Sequence, residues 1–212
     1  MGPFSFVPVP GTNPPVLVPE FQLLDANGKP APVLSGSKIP TPYLWFFDQH
    51  DIKVSVDSNG VKTMTVYDNG SDRLFAGAAG YSRLVKLQLN EAASPKTARI
   101  LYEYTEWNGD NTDPANWAEP FWGGYDEIDN GQHILAAQGH CSFCALPAGQ
   151  GGTSSAPSHN STLLELAPTL PSGATPLWKA VFASPDTMIY RAQHIDGCAI
   201  FNNLTYCPSL GH

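Results

Sequence analysis

His50 lies in Gln49-His50-Asp51, one hairpin's length before Asp68-Asn69-Gly70, and Tyr81-Ser82-Arg83 follows. A neutral imidazole keeps a lone pair on one ring nitrogen, so a histidine at the mouth of a strand pair can attack an electrophile. An ordinary imidazole titrates near ~6.5 and is largely neutral at pH 7. The other ring nitrogen then needs an orienting partner. In a regular strand Asp51 points to the opposite face from His50, which leaves Asp48 or a backbone carbonyl for that task. Asn69-Gly70 reads as a turn. Arg73, Arg83 and Arg191 are the cations close to these segments, and Arg83 and Arg191 are the candidates for binding an anionic substrate group. The competing reading for both is a solvated or salt-bridged strand arginine.

Other reactive residues form weaker constellations. Cys198 and Cys207 lie symmetrically about Asn202-Asn203, so a two-residue turn there sets them opposite each other on antiparallel strands. Theirs is then a non-hydrogen-bonded pair with a Cα separation of about 4.5 Å, at the short end of disulfide geometry, and a Cys198–Cys207 disulfide is expected. That favours an oxidising compartment. With those two paired, His140, Cys141 and Cys144 make an incomplete zinc set, and a local disulfide or free thiols are expected instead. Asp110-Asn111-Thr112-Asp113 lacks the Gly and terminal Glu of a calcium loop and reads as a polar loop. His133, His159, His194 and His212 show no partner spacing for metal or catalysis. No cofactor is expected.

The element carrying His50 is a hairpin. Ile52, Val54 and Val56 alternate with polar residues, Ser58-Asn59-Gly60 supplies a turn, and Met64 and Val66 alternate on the return. Across all 212 residues, charged residues are only 14%, while 20 Pro and 19 Gly punctuate short apolar runs. That composition fits many short strands joined by turns. A net charge of −8 with 11 Lys plus Arg argues against a nucleic-acid partner, because phosphate neutralisation needs clustered cations. No apolar run approaches a membrane span, and the amino terminus has neither a basic nor an apolar leader.

The chain also repeats itself. Ser82-Arg83-Leu84-Val85-Lys86-Leu87 corresponds to Ser161-Thr162-Leu163-Leu164-Glu165-Leu166, and Ile100-Leu101-Tyr102 to Trp178-Lys179-Ala180. A hairpin with its own Asn-Gly turn precedes each copy, at Asn59-Gly60 and Asn130-Gly131. Each unit is therefore two hairpins, four strands in all. Four-stranded units in tandem predict an all-β fold of β-propeller-like blades built from antiparallel sheets. Residues 1–40 read as a Pro/Gly-rich lead-in, with a strand pair around Ala26-Asn27-Gly28, and 41–212 as the repeat region. Its units span about 45–105, 120–183 and 186–212, the third only in part. Two blades plus part of a third make an incomplete ring, since propellers close with typically about four to eight. A second copy of the chain could complete it.

In order and spacing, Gln49-His50, Asp68-Asn69-Gly70, Tyr81-Ser82-Arg83, Tyr102-Glu103-Tyr104 and Tyr190-Arg191-Ala192 resemble the carboxy-terminal part of the bacterial arylsulfotransferases. The resemblance covers roughly residues 20–195. It implies a six-bladed propeller exported to the periplasm or secreted. It also implies sulfuryl transfer from an aryl sulfate to a phenolic acceptor through a sulfohistidine, with His50 as nucleophile. By analogy with phosphoryl transfer, such chemistry needs in-line positioning and donors for the equatorial oxygens. The family's remaining catalytic residues come from blades preceding the Gln-His motif and have no match here. A sulfuryl-binding threonine of the family falls near Trp122-Gly123-Gly124, which offers no hydroxyl. The alternative reading is a non-catalytic β-sheet module for binding or assembly, whose five Trp suit carbohydrate or phenolic ligands.

Overall fold

Alternation of apolar and polar residues, with Asx turns between strands, builds the hairpin at the centre of this fold. A computed structural model describes residues 6–8, 17–31, 46, 49–70, 81–106, 123–139, 161–169, 174–182 and 189–193. The hairpin that carries His50 forms as expected from β4 (Gln49–Val56) and β5 (Lys62–Asp68). Its turn is held by Asp57, whose Oδ1 accepts hydrogen bonds from the Asn59 and Val61 N–H groups, with Gly60 at φ 79°. Only glycine adopts that backbone readily. β6 (Arg83–Asn90) and β7 (Thr97–Tyr104) continue the antiparallel meander.

A second antiparallel sheet follows: β8 (Gly123–Ile128), β9 (His133–Gln138), β10 (Ser161–Pro168) and β11 (Ala174–Phe182). The β8–β9 turn, Asp129–Gly131, uses the expected Asn130-Gly131, both at positive φ. The lead-in contributes more than a strand pair. β1 (Phe6–Pro8) and β2 (Leu17–Pro19) form a two-stranded sheet, and β3 (Gln22–Leu24) adds in parallel to β7. The first sheet therefore has five strands, in the order β3-β7-β6-β5-β4. After β3 the chain turns at Gly28, where Asp25 Oδ1 accepts from Asn27 and Lys29, and Leu24 bridges Pro30. Ile189 to Gln193 form no strand, and the rest of the third unit lies outside the described residues. So do Cys141, Cys144, Cys198 and Cys207, and with them the expected disulfide.

The two four-stranded meanders repeat down to an irregularity. Between Lys86 and Leu87 the β6–β7 register slips by one residue, leaving Leu101 unpaired, and between Glu165 and Leu166 the β10–β11 register does the same at Leu177. A β-bulge bends and twists its strand, so both sheets turn at the same place. The third strands correspond at an offset of 79 residues, as expected (Lys86 to Glu165). The fourth strands correspond at 76 (Tyr102 to Trp178), which corrects the expected match of Ile100 with Trp178 by two residues.

The first sheet faces a core on each of its two sides, and the second sheet shares one of them. Met64, Val66, Val85, Leu87, Ala98 and Ile100 pack beneath Phe21 and Leu23 of the lead-in. Tyr67, Leu84, Tyr102, Tyr125, Ile134, Ala136, Leu164 and Leu166 pack between the two sheets. A fully buried Leu there contributes about 1.5–3 kcal/mol. Polar bridges lock the same interface: Lys53 Nζ donates to Tyr125 O (2.7 Å) and Asp126 Oδ1 (2.8 Å), and Lys86 to Glu127 (2.6 Å).

Tyrosines dominate this second core, and their protons are held tightly. Burial pushes the Tyr102, Tyr104 and Tyr125 phenols above their ordinary value, with further help from Tyr104, Glu106 and Glu127 respectively. Unfolded phenols ionise near pH ~10, so the stabilisation is fully present below that and is lost as pH rises towards the folded values. The urea midpoint should thus fall between about pH 8 and about pH 11. A midpoint that holds or rises over that interval would contradict this packing.

Candidate functional site

The position of His50 is decided by a bulge. Counting straight back from the turn, the register that pairs Val56 with Lys62 and Lys53 with Thr65 would set His50 opposite Asp68. Instead one extra residue is accommodated between His50 and Lys53, with Asp51 at φ 48°, and His50 pairs with Tyr67. The half-buried His50 ring then reaches Asn69: Nδ1 lies 2.7 Å from Asn69 Oδ1. An amide oxygen only accepts, so Nδ1 carries the proton and donates. In a neutral ring so bonded, Nε2 keeps the lone pair. Asn69, and not a backbone carbonyl, is the partner seen among the described residues, which do not include Asp48, and Asn69 is more than a turn residue.

Behind Asn69 runs a network built from the other signature segments. Asp68, opposite Arg83 on β6, accepts from Arg83 Nε at 2.7 Å, and both side chains are fully buried. Arg83 Nη1 donates to Glu103 on β7 at 2.8 Å, and the guanidinium carbon lies 5.1 Å from the Phe46 ring. Burial alone would lower the Arg83 pKa, but Asp68 and Glu103 outweigh it and hold the group above its ordinary value. It is charged at every accessible pH. Ser82 Oγ donates to Asn69 O at 3.0 Å, and Thr105 Oγ1 donates to Ser82 O at 2.9 Å. The segments 68–70, 81–83 and 102–105 thus form one structure whose outer end is Asn69.

Arg83 is accordingly placed for structure, with no exposed surface to meet a substrate anion. Arg191 differs. Its side chain is 48% exposed, and its Nε lies 3.6 Å from Asp51 Oδ1, on the residue next to His50. Asp51 is almost wholly buried and ties the sheets together: its Oδ2 accepts from the Tyr125 N–H at 2.9 Å and lies 3.4 Å from Lys53 Nζ. At the bulge Asp51 thus reaches the neighbouring sheet. Gly124 makes room for the arrangement; a Cβ there would sit 3.1 Å from Arg191 Cγ and 3.4 Å from Asp51 Oδ2.

Strand pairing shows what the second sheet carries at matching positions. Gly124 pairs with Ala137 as His50 pairs with Tyr67, Gln138 stands for Asp68, and Thr162 for Arg83. The repeat keeps the scaffold and the bulge between its third and fourth strands, while β8 and β9 pair without a slip and these positions carry no histidine and no Asp–Arg pair. His133 lies 2.9 Å from Glu165 and 3.2 Å from Asp129, and Glu165 also accepts from Trp178 Nε1. Among the described residues no cluster of His, Cys, Asp and Glu could hold a metal ion. Arg73, His140, His159, His194 and His212 lie outside the described residues.

Removing the cation from this network should be costly. Arg83→Leu takes the cation from two carboxylates, Asp68 fully buried and Glu103 partly so, and should destabilise the protein by about 3–5 kcal/mol in urea unfolding. A loss of under about 1 kcal/mol, the range of a surface pair, would contradict a buried role. The chain matches no protein-family model, and no characterised protein matches it significantly.

Proposed function

We propose that the chain is an arylsulfotransferase-like module, with propeller-like blades, that moves a sulfuryl group between phenolic oxygens through His50. The observation that carries this reading is the 2.7 Å contact of His50 Nδ1 with Asn69 Oδ1, which frees Nε2 for attack. The ordered motif set adds support, since its members converge on one network behind that contact.

In the first step the Nε2 lone pair attacks the sulfur of an aryl sulfate. The N–S bond forms as the sulfur–aryl oxygen bond breaks, and the electron pair leaves on the phenolate, which takes a proton from water. In the second step the acceptor's phenolic oxygen attacks the same sulfur, and its proton passes to water. The N–S bond breaks and its pair returns to Nε2. The half-exposed Arg191 guanidinium is the cation for the sulfate oxygens, a charge-assisted contact that strengthens with the charge developing in the transition state. The Arg83 ion pair acts from behind by fixing the strands. Aryl sulfates and phenols are the partners in this reading, an exported location suits it, and a second copy of the chain would extend the ring.

A specific observation favours the non-catalytic alternative. Ile52, Val54 and Val56 on β4, and Leu177, Trp178, Val181 and Phe182 on β11, are exposed. Apolar side chains grouped on outer strands are typical of surfaces that pair with another sheet.

Phenol release from an aryl sulfate in the presence of a phenolic acceptor separates the two readings. The catalytic one predicts release that falls at least ~100-fold in His50→Ala, a loss typical of removing a reacting group. Release that survives in His50→Ala rejects His50 as the nucleophile, and no release at any protein concentration rejects catalysis and leaves the assembly module.

A further inference from the structure

We infer that Asn69 is the positioning residue of His50, fixing the neutral imidazole as the Nδ1–H tautomer with its lone pair on Nε2, and that the β4 bulge selects this amide over the adjacent carboxylate. Its part in group transfer rests on the sulfuryl-transfer reading above; the tautomer does not.

Three observations support the assignment. The register of the hairpin would bring His50 opposite Asp68, and the bulge at Asp51 moves it one residue along to Tyr67, within reach of the Asn69 side chain. Asp68 is meanwhile bound to Arg83, so its negative charge is compensated and turned away from the ring. Asn69 itself is buried at 1% exposure, and its backbone carbonyl accepts from Ser82 Oγ, which anchors the stretch of main chain that presents the amide to His50.

A neutral acceptor suits both halves of a transfer. A carboxylate at that distance would favour the imidazolium, which has no lone pair to offer. It would also draw off the Nδ1 proton once sulfur is attached. The sulfonated ring would then lose its positive charge, and nitrogen would become a poorer leaving group. With an amide the Nδ1 proton stays in place through both steps, and the N–S bond pair returns to Nε2 when the acceptor oxygen bonds to sulfur. Asn69 thus keeps the nucleophile neutral beforehand and the adduct labile afterwards.

The test is long-range proton–nitrogen correlation NMR on the full chain labelled with 15N-histidine, at a pH about two units above the ordinary imidazole value of ~6.5. The His50 signals, identified among six histidines by their loss in His50→Ala, are expected to show the Nδ1–H tautomer. Asn69→Asp should raise the His50 titration midpoint by about one pH unit or more relative to the unsubstituted chain. It should move the acid limb of transfer upward by the same amount and lengthen the life of the adduct, changes that a purely structural residue would not produce. An Nε2–H tautomer in the unsubstituted protein overturns the inference, as does a folded Asn69→Asp with an unmoved midpoint. The first measurement needs no substitution at Asn69, so a variant that fails to fold does not decide the question. An Nδ1–H tautomer with no phenol release supports the positioning role and defeats the transfer reading alone.

Discussion

A guanidinium buried between two carboxylates holds this structure together at the point that matters. Arg83 reaches Asp68 on β5 and Glu103 on β7 from β6, so one side chain pins the ends of three adjacent strands. Removing such charges from water is expensive, and only close geometry with satisfied hydrogen bonds repays it. That requirement makes the network intolerant of slippage: a one-residue shift of β5 against β6 would turn Asp68 to the other side of the sheet. The register of the hairpin's return strand, and hence the place of Asn69, follows from where Arg83 must sit.

The second constraint is the bulge at Asp51. It separates two acceptors that are adjacent in sequence and gives each a different task. Asp68 neutralises a buried cation on one face, and Asn69 holds the imidazole at the strand mouth. Asp51 is turned towards the next sheet, where it accepts from the Tyr125 N–H, so the same distortion that sets the histidine also docks the two sheets. Site geometry and sheet packing are in this way coupled through a single extra residue.

Much of this was legible in the sequence. Alternation located the β4–β5 hairpin, Asn-Gly pairs marked its turn and that of the second unit, and the similarity of residues 82–87 to 161–166 located the third strands of both sheets. Side-chain pattern does not encode which residue is skipped in a ladder, and the failures share that cause. The Leu101 and Leu177 bulges displaced the expected fourth-strand match, and the Asp51 bulge concealed the partner of His50. Of the two readings open to Arg83, the salt-bridged strand arginine fits its place, though not its depth. Composition suggests an exposed role for so polar a residue, and only tertiary pairing with Asp68 and Glu103 makes its burial tolerable. The signal for Asn69 lay in view, since Asp68-Asn69-Gly70 closes the strand opposite Gln49-His50, yet Asn-Gly is read first as a turn.

The proposed sulfuryl transfer turns on one atom, His50 Nε2, where the group would be held between donor and acceptor. The most direct measurement is tandem mass spectrometry of the peptide containing residue 50, after brief exposure to an aryl sulfate without acceptor and an alkaline quench. The account predicts a gain of one SO3 localised to His50 and lost when a phenol is added before the quench. A peptide of unchanged mass, or an adduct on any other residue, would contradict it.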